Sequence, residues 1–350
     1  MIRANKITDR SSTALGTGLV ALDIILNGAP TTPAKLCAGG SCGNVLTILS
    51  YLGWGSKPIA RLADNNATQS LFKDFEQFGV DTSLMTTSSD GKTPIIIHRI
   101  LKDNDGNSQH KFEFKIPGTG TWLPMYKPVL ANFVDAITEK QPKCEVFYFD
   151  RVSRSTIDLA KHYAKNGALI VFEPSSLKDD KQTLECLSLA HIIKFSSDRI
   201  NNYSELFPEA NAFLEIQTLG KEGLQYRLKS GKTQEWTKVP SFNFDNIKDA
   251  AGAGDWCTAG IISQLGQNGL ASFLDSSEKR IVDALKVGQA FGGINCLFDG
   301  ARGIMYNIDA DMLNELLESV IKNEHKPSLP ENSAKTQILT VSNLEFNTLL

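Results

Sequence analysis

No apolar run in this chain of 350 residues approaches the roughly 20 that span a bilayer, and the first 14 residues, MIRANKITDRSSTA, hold no apolar core of a secretory signal. The expectation is a cytosolic, cytoplasmic protein with no membrane partner. Charge of one sign is also missing: 36 Lys and Arg against 39 Asp and Glu leave a net charge of −3. Without a basic block to neutralise a run of phosphates, nucleic acid is set aside as a partner. None of the six cysteines stands in a CxxC, which removes zinc ribbons and redox pairs and leaves scattered buried thiols. The five histidines form no HExxH and no local cluster. What is present suits a sizeable core, with 41% hydrophobic and 21% charged residues, and the length admits one large α/β domain or two average ones.

Strand-like and helix-like segments alternate along the chain. LGTGLVALDIIL (15–26) reads as a strand, followed after a loop by a helix from Ser41 to Leu52 with Val45, Leu46, Ile48, Leu49 and Leu52 as its apolar stripe. A strand KPIARLA (57–63) and a helix near 66–78, closed by Gly79, complete a βαβα start. Further on, CEVFYFD (144–150), ALIVFEP (168–174), HIIKFS (191–196) and AFLEIQTLG (212–220) are short, nearly continuous apolar strands, as a parallel sheet covered on both faces requires. Two antiparallel hairpins interrupt this rhythm: TPIIIHRIL with QHKFEFKI around a polar DNDGNS turn, and GLQYRLKS with TQEWTKV around Gly231. The first projects as a lid or an interface. The last 25 or so residues, with Pro327 and Pro330, read as a surface tail carrying one strand at most.

Two apparent nucleotide motifs fail on context. Gly91-Lys92-Thr93 and Gly231-Lys232-Thr233 lack the first glycine of a P-loop, since Thr86 and Tyr226 stand there. Gly16-x-Gly18-x-x-Ala21 runs into a strand instead of opening a helix; it remains the sole support for a nicotinamide-dependent oxidoreductase, against glycines that let a strand approach a neighbour closely. The segment DAAGAGDWCTAGIISQL (249–265) is stronger. Gly252-Ala253-Gly254 can turn tightly ahead of a helix whose unpaired N–H groups and dipole favour an anion. Asp255, in the first turn, would be kept ionised by the same dipole and could take a proton from an attacking hydroxyl. An ordinary capped helix after a glycine loop fits the same spacing. AGGSCGN (38–44) places paired glycines and Asn44 at the start of the first helix, and Asp23 sits in an otherwise apolar strand. Its carboxylate could accept from two hydroxyls or be satisfied by a local cap or ion pair.

Taken together, the glycine pair with its following Asn and the GAGD motif some 200 residues later resemble the PfkB, or ribokinase-like, family of sugar and nucleoside kinases, over about residues 14–305. FGVDTSLM (78–85), TLGKEG (218–223) and INCLFDGARG (294–303) are similar to further family segments in the same order. The resemblance implies a doubly wound, mostly parallel α/β sheet flanked by helices with a small β-strand lid. The kinase domain would occupy 1–325, with lid insertions at about 27–36 and 91–120 and a tail at 326–350. It implies Asp23, Gly39, Gly40 and Asn44 as holders of substrate hydroxyls, Gly252, Ala253 and Gly254 as anion hole and Asp255 as base. Lys194, Ser196, Thr218, Gly220, Gly223 and Gly300 would lie on the nucleotide side. Asp249 would either bind K⁺, with the carbonyls of Ala251 and the 295–304 loop, or stabilise a turn.

The activity implied is ATP-dependent phosphorylation of a sugar or nucleoside hydroxyl, with Mg²⁺ on the phosphates. A nucleoside kinase and a non-catalytic ligand-binding or regulatory member are the alternatives. Where the family often has Asn-x-x-Glu for Mg²⁺, this chain has Ser196-Ser197-Asp198-Arg199; Lys194 or Asp198 could share the role, and Glu173 stands one strand earlier, where the family commonly has another polar site residue. The lid would exclude water, and it leaves open a homodimer through lid pairing.

Overall fold

The computed structural model of the chain describes residues 12–27, 32–102, 108–178, 180–209, 211–229, 235–322, 336–342 and 344–350. Most of the DNDGNS turn, the Gly231-Lys232-Thr233 turn, residues 28–31 of the expected lid loop, and Pro327 and Pro330 lie outside the described residues. Strands β1 (Thr13–Thr17), β2 (Ala21–Asn27) and β3 (Ala34–Gly39) precede α1 (Ser41–Tyr51). They are followed by β4 (Gly55–Leu62), α2 (Asn66–Gln77), β5 (Met85–Thr87) and the hairpin β6 (Ile95–Lys102) and β7 (Ser108–Glu113). After α3 (Val134–Lys140) come β8 (Val146–Phe149), α4 (Arg154–Lys165), β9 (Leu169–Phe172), α5 (Lys181–Leu189), β10 (Ile192–Ser196) and the one-turn α6 (Tyr203–Leu206). Next are β11 (Leu214–Thr218), β12 (Leu224–Leu228) and β13 (Thr237–Val239). The remainder is α7 (Ala253–Leu265), α8 (Gly269–Leu274), α9 (Glu278–Asn295), α10 (Ala310–Lys322), β14 (Leu339–Val341) and α11 (Phe346–Leu349).

Nine strands form the main sheet in the order β13-β12-β11-β10-β9-β8-β1-β4-β5, all parallel except β12 and β13. The continuous apolar runs follow from burial on both faces. Val146, Tyr148, Leu169 and Val171 enter the core shared with α1, α7 and α9, while Phe147, Phe149, Ile170 and Phe172 enter the core against α4 and α5. Side chains at Asn65, Ser153, Asp180 and Ser277 cap the N-termini of α2, α4, α5 and α9 by accepting from backbone N–H groups, which stops each helix where the strand connection needs it. All six cysteines are buried free thiols, and no described helix is long and apolar enough to cross a membrane.

The stretch 15–26, expected as one strand, is two strands in two sheets. Gly18 breaks it: at φ 146° its backbone passes so close to Asp150 that a Cβ would sit 1.6 Å from Oδ1, and Asp150 takes the Leu19 N–H at 2.8 Å. The chain therefore leaves the main sheet after β1 and enters a second sheet, β14-β3-β2-β6-β7, in which β2 and β6 are parallel and the other pairs antiparallel. The lid is larger than a hairpin with a loop, because β2, β3 and a C-terminal strand join it. Residues 336–342 and 344–350 return to the body: β14 pairs with β3, and Asn66 Nδ2 donates to the Thr348 carbonyl at 2.7 Å.

Helix α7 is set in place by a glycine crossing with α9. A Cβ on Gly260 would meet Gly288 Cα at 2.8 Å, and one on Gly288 would meet the Cys257 carbonyl at 2.6 Å. Gly288→Val is expected to lower the unfolding free energy by about 1–3 kcal/mol, as overpacking between helices does, measured by urea denaturation; an unchanged midpoint would show that the crossing has room to give.

Candidate active site

The strand order reverses at β1 and β8, and the carboxyl ends of the parallel strands at such a point form a crevice. Two helices open into it. Gly40 (φ 76°) is the N-cap of α1, and Gly252 (φ 73°, left-handed) that of α7. At Gly252 a Cβ would lie 2.1 Å from the Ala301 carbonyl, so only glycine makes this turn. The first N–H groups of α7 lack intrahelical acceptors by helix geometry, and Gly254 in that turn is exposed, with only Lys194 Nζ near its Cβ position, at 3.9 Å.

The two motifs meet. Asn44 Nδ2 on α1 donates to Asp255 Oδ2 on α7 at 2.7 Å, across 211 residues of sequence. Asp23 completes the row from the other side. A Cβ on Gly39 would fall 2.1 Å from the Asp23 carboxylate, so the absent side chain is what lets that carboxylate lie on the β3 backbone. Asp23 Oδ1 and Asn44 Oδ1 are buried acceptors with no hydrogen-bond partner. Such orphans are costly unless a ligand supplies donors.

The helix dipole favours an ionised Asp255, but burial, with Glu173 beside it, pushes its carboxyl up to about 8 from 3.8, against Asn44, Lys194 and Arg199. Burial also pushes Asp23 up to about 7, with Arg302 opposing and Asp74 adding. Beneath the start of α7, Glu173 accepts from Lys194 at 2.6 Å, Thr258 at 2.6 Å and Tyr148 at 3.2 Å. Lys194 also donates to the Gly254 carbonyl at 3.2 Å and is 2% exposed. Its ammonium thus props the glycine turn from within.

Ser196 and Thr218 are register partners at the carboxyl ends of β10 and β11. Gly220 (φ 57°) and Gly223 (φ 101°) bound the short turn into β12, and a Cβ on Gly223 would strike the Val239 carbonyl. Gly300 lies apart from these: its N–H donates to Asp249 Oδ2 at 2.9 Å and its Cα faces Ile25 of the lid. Asp249 Oδ1 accepts from the Ala251 N–H at 2.9 Å, and Asn295 Nδ2 donates to the carbonyls of Ala251 and Gly300. Both Asp249 oxygens and the Ala251 and Gly300 carbonyls thus accept hydrogen bonds within one turn. Among the described residues no group of three or more His, Cys, Asp or Glu is placed to hold a metal ion, and Glu173 already accepts from three donors.

Sequence reasoning missed Thr258, Tyr148, Asp74 and Arg302. Asp74 did leave a signal, an acidic residue on the apolar face of α2 with Leu71 and Phe75, all buried.

A doubly wound sheet with an acid at a helix N-terminus in its crevice and a β lid above defines the ribokinase-like class. The chain belongs to the pfkB family of carbohydrate kinases, whose model matches residues 33–305. It is 25% identical over 316 residues to probable fructokinase-7 of Arabidopsis thaliana, covering 81% of this chain and 85% of that one. It is 26% identical over 271 residues to the fructokinase of Klebsiella pneumoniae, covering 71% and 84%. Among solved structures, aminoimidazole riboside kinase from Salmonella enterica, complexed with aminoimidazole riboside and an ATP analog, superposes with TM-score 0.64 at 18% identity over 87% of this chain and 99% of that one. Fructokinase with bound ATP from Xylella fastidiosa gives 0.64 at 18% identity over 90% and 99%.

The raised Asp255 value carries a stability consequence. A carboxyl whose folded pKa lies above its unfolded value stabilises the fold below the unfolded value, and that contribution is lost as pH rises through the folded one. Asp255→Asn is therefore expected to stabilise the unliganded protein at pH 7 by more than about 1 kcal/mol and to make no difference near pH 3.5. Thermal melts at both pH values check it; a variant melting below wild type at pH 7 contradicts the buried-carboxyl account.

Proposed function

We propose that the chain transfers the γ-phosphoryl group of Mg-ATP to a hydroxyl of a sugar, with Asp255 as general base. The observation that supports this most is the Asn44–Asp255 contact at an open helix N-terminus, beside buried acceptors without partners at Asp23 and Asn44. Asp23, Gly39, Gly40 and Asn44 hold the acceptor hydroxyls, filling the orphaned lone pairs. The hydroxyl oxygen bonds to the γ-phosphorus as its proton passes to Asp255, and the bond to the bridging oxygen breaks to release ADP. Mg²⁺, carried by the nucleotide, neutralises phosphate charge. The N–H groups at Gly252, Ala253 and Gly254 receive the charge on the transferring group. Ser196, Thr218, Gly220 and Gly223 line the nucleotide side, and the lid sheet keeps water from the phosphoryl group.

The names of the relatives support a ketohexose such as fructose as acceptor. The likeness to a riboside kinase keeps a nucleoside as second reading, and the intact Asp255 speaks against a non-catalytic member. A screen of fructose, ribose and aminoimidazole riboside with Mg-ATP, read as ADP release and acceptor phosphate, tests this. Fructose is expected to be phosphorylated, and absence of transfer to all sugars and nucleosides would remove the kinase reading.

Asp255→Asn should lower turnover by about 10²-fold or more, the scale of a positioned base, with nucleotide binding within a small factor. Gly254→Val should do the same with little loss of stability, because its Cβ would meet only the Lys194 ammonium, at 3.9 Å, on the side where the phosphate belongs. Normal kinetics in either variant contradict its assigned role. Asp23→Ala should weaken acceptor binding by about 1.5–3 kcal/mol, the worth of a charged hydrogen bond, and leave ATP binding intact; calorimetry with each ligand separates the two.

A further inference from the structure

A charge cluster lies behind the acceptor side of the site. Arg302, in the segment after α9, is 2% exposed. Its Nη2 donates to the Ala38 carbonyl, the Asp74 carboxylate and, at 2.9 Å, the Tyr306 hydroxyl. Asp74, on the inner face of α2, accepts from the Ala38 N–H at 2.8 Å and from Tyr306 at 2.7 Å. One ion pair therefore holds both backbone polar groups of Ala38, the residue joined to Gly39, whose backbone lies against the Asp23 carboxylate.

The guanidinium is only partly used. Nε and Nη1 are buried without hydrogen-bond partners, as is Asp23 Oδ1. The titratable groups around it are Asp23 on β2, Cys37 opposite Asp23 on β3, Asp74 on α2 and Tyr306, and its positive charge acts on Asp23, Cys37 and Tyr306. Pinning a peptide group needs no charge, and burying an ion costs several kcal/mol. A second duty accounts for the cation. Asp23 can accept from two hydroxyls through both oxygens only as a carboxylate, since protonation turns one oxygen into a donor.

We propose that Arg302 is a positioning residue of the acceptor pocket: through Ala38 it holds Gly39 and Gly40 against Asp23, and its charge keeps Asp23 ionised to receive a pair of acceptor hydroxyls. This rests on the sugar-kinase reading above.

Two measurements on the full chain test it. The first needs no activity: carboxyl ¹³C NMR titration of Asp-labelled protein, with the Asp23 signal assigned by its loss in Asp23→Asn. Removing a positive charge raises a carboxyl pKa and removing a negative one lowers it. Arg302→Met should move the Asp23 midpoint up by about one pH unit or more, Arg302→Lys should leave it near wild type, and Asp74→Asn should move it down. The second is the split between substrates. Arg302→Met should raise the acceptor KM at pH 7 tenfold or more, with the KM for ATP within twofold, and Arg302→Lys should restore only part of the loss because a single ammonium cannot bridge Ala38, Asp74 and Tyr306.

An Asp23 midpoint unmoved in both Arg302→Met and Asp74→Asn overturns the proposal, as does a parallel rise in both KM values. Should Arg302→Met fail to fold, the downward shift in Asp74→Asn decides. A wild-type chain that phosphorylates no acceptor sinks the kinase reading instead, and the titration alone then decides whether the Arg302 charge acts on Asp23.

Discussion

The hydrogen bond from Asn44 to Asp255 ties the N-termini of α1 and α7 into one site, and most of the other features around it exist to make that contact possible. Both helices must begin at the same depth of the crevice. Gly40 and Gly252 supply the left-handed turns that start them there, and the close glycine crossing of Gly260 with Gly288 seats α7 against α9. A side chain at any of these positions would move one partner by more than a hydrogen bond tolerates.

Charge is managed by layers. The groups at the crevice, Asp23 and Asp255, are pushed up in pKa by burial, against the Arg302 charge at Asp23 and against Asn44, Lys194 and Arg199 at Asp255. Behind them, Lys194 with Glu173 and Arg302 with Asp74 are buried ion pairs, the first bonded to the Gly254 carbonyl at the start of α7 and the second to the Ala38 carbonyl at the end of β3. Burial works against Lys194, yet the Glu173 carboxylate beside it holds its ammonium above the ordinary value. Breaking a buried pair by removing one member is far more harmful than never having had it, so these layers also make the turns rigid. Rigidity of the turns is what a phosphoryl cradle requires.

Much of this was legible in the chain, unevenly. The strands from Val146 to Thr218 announced themselves through nearly continuous apolar runs, because burial on both faces leaves few polar positions. The break at Gly18 was not legible: the segment from Leu15 to Leu26 is apolar in either sheet, and only the close approach of Asp150 dictates the turn. The inward direction of Lys194 was not legible, since it is set by Glu173, just past the end of the neighbouring strand.

By itself, the sequence determined the α/β class, the alternation of elements, and the two glycine-flanked helix starts with Asn44 and Asp255 on them, because periodicity, caps and tight turns are local properties of neighbouring residues. The meeting of those starts, the second sheet that recruits β2, β3 and β14, the raised carboxyls and the Arg302–Asp74–Tyr306 cluster were decided only by the tertiary structure. Each is a relation among groups brought together from distant segments, up to 264 residues apart for Arg302 and Ala38. Removal from water, which governs them all, has no value until the chain has closed over itself.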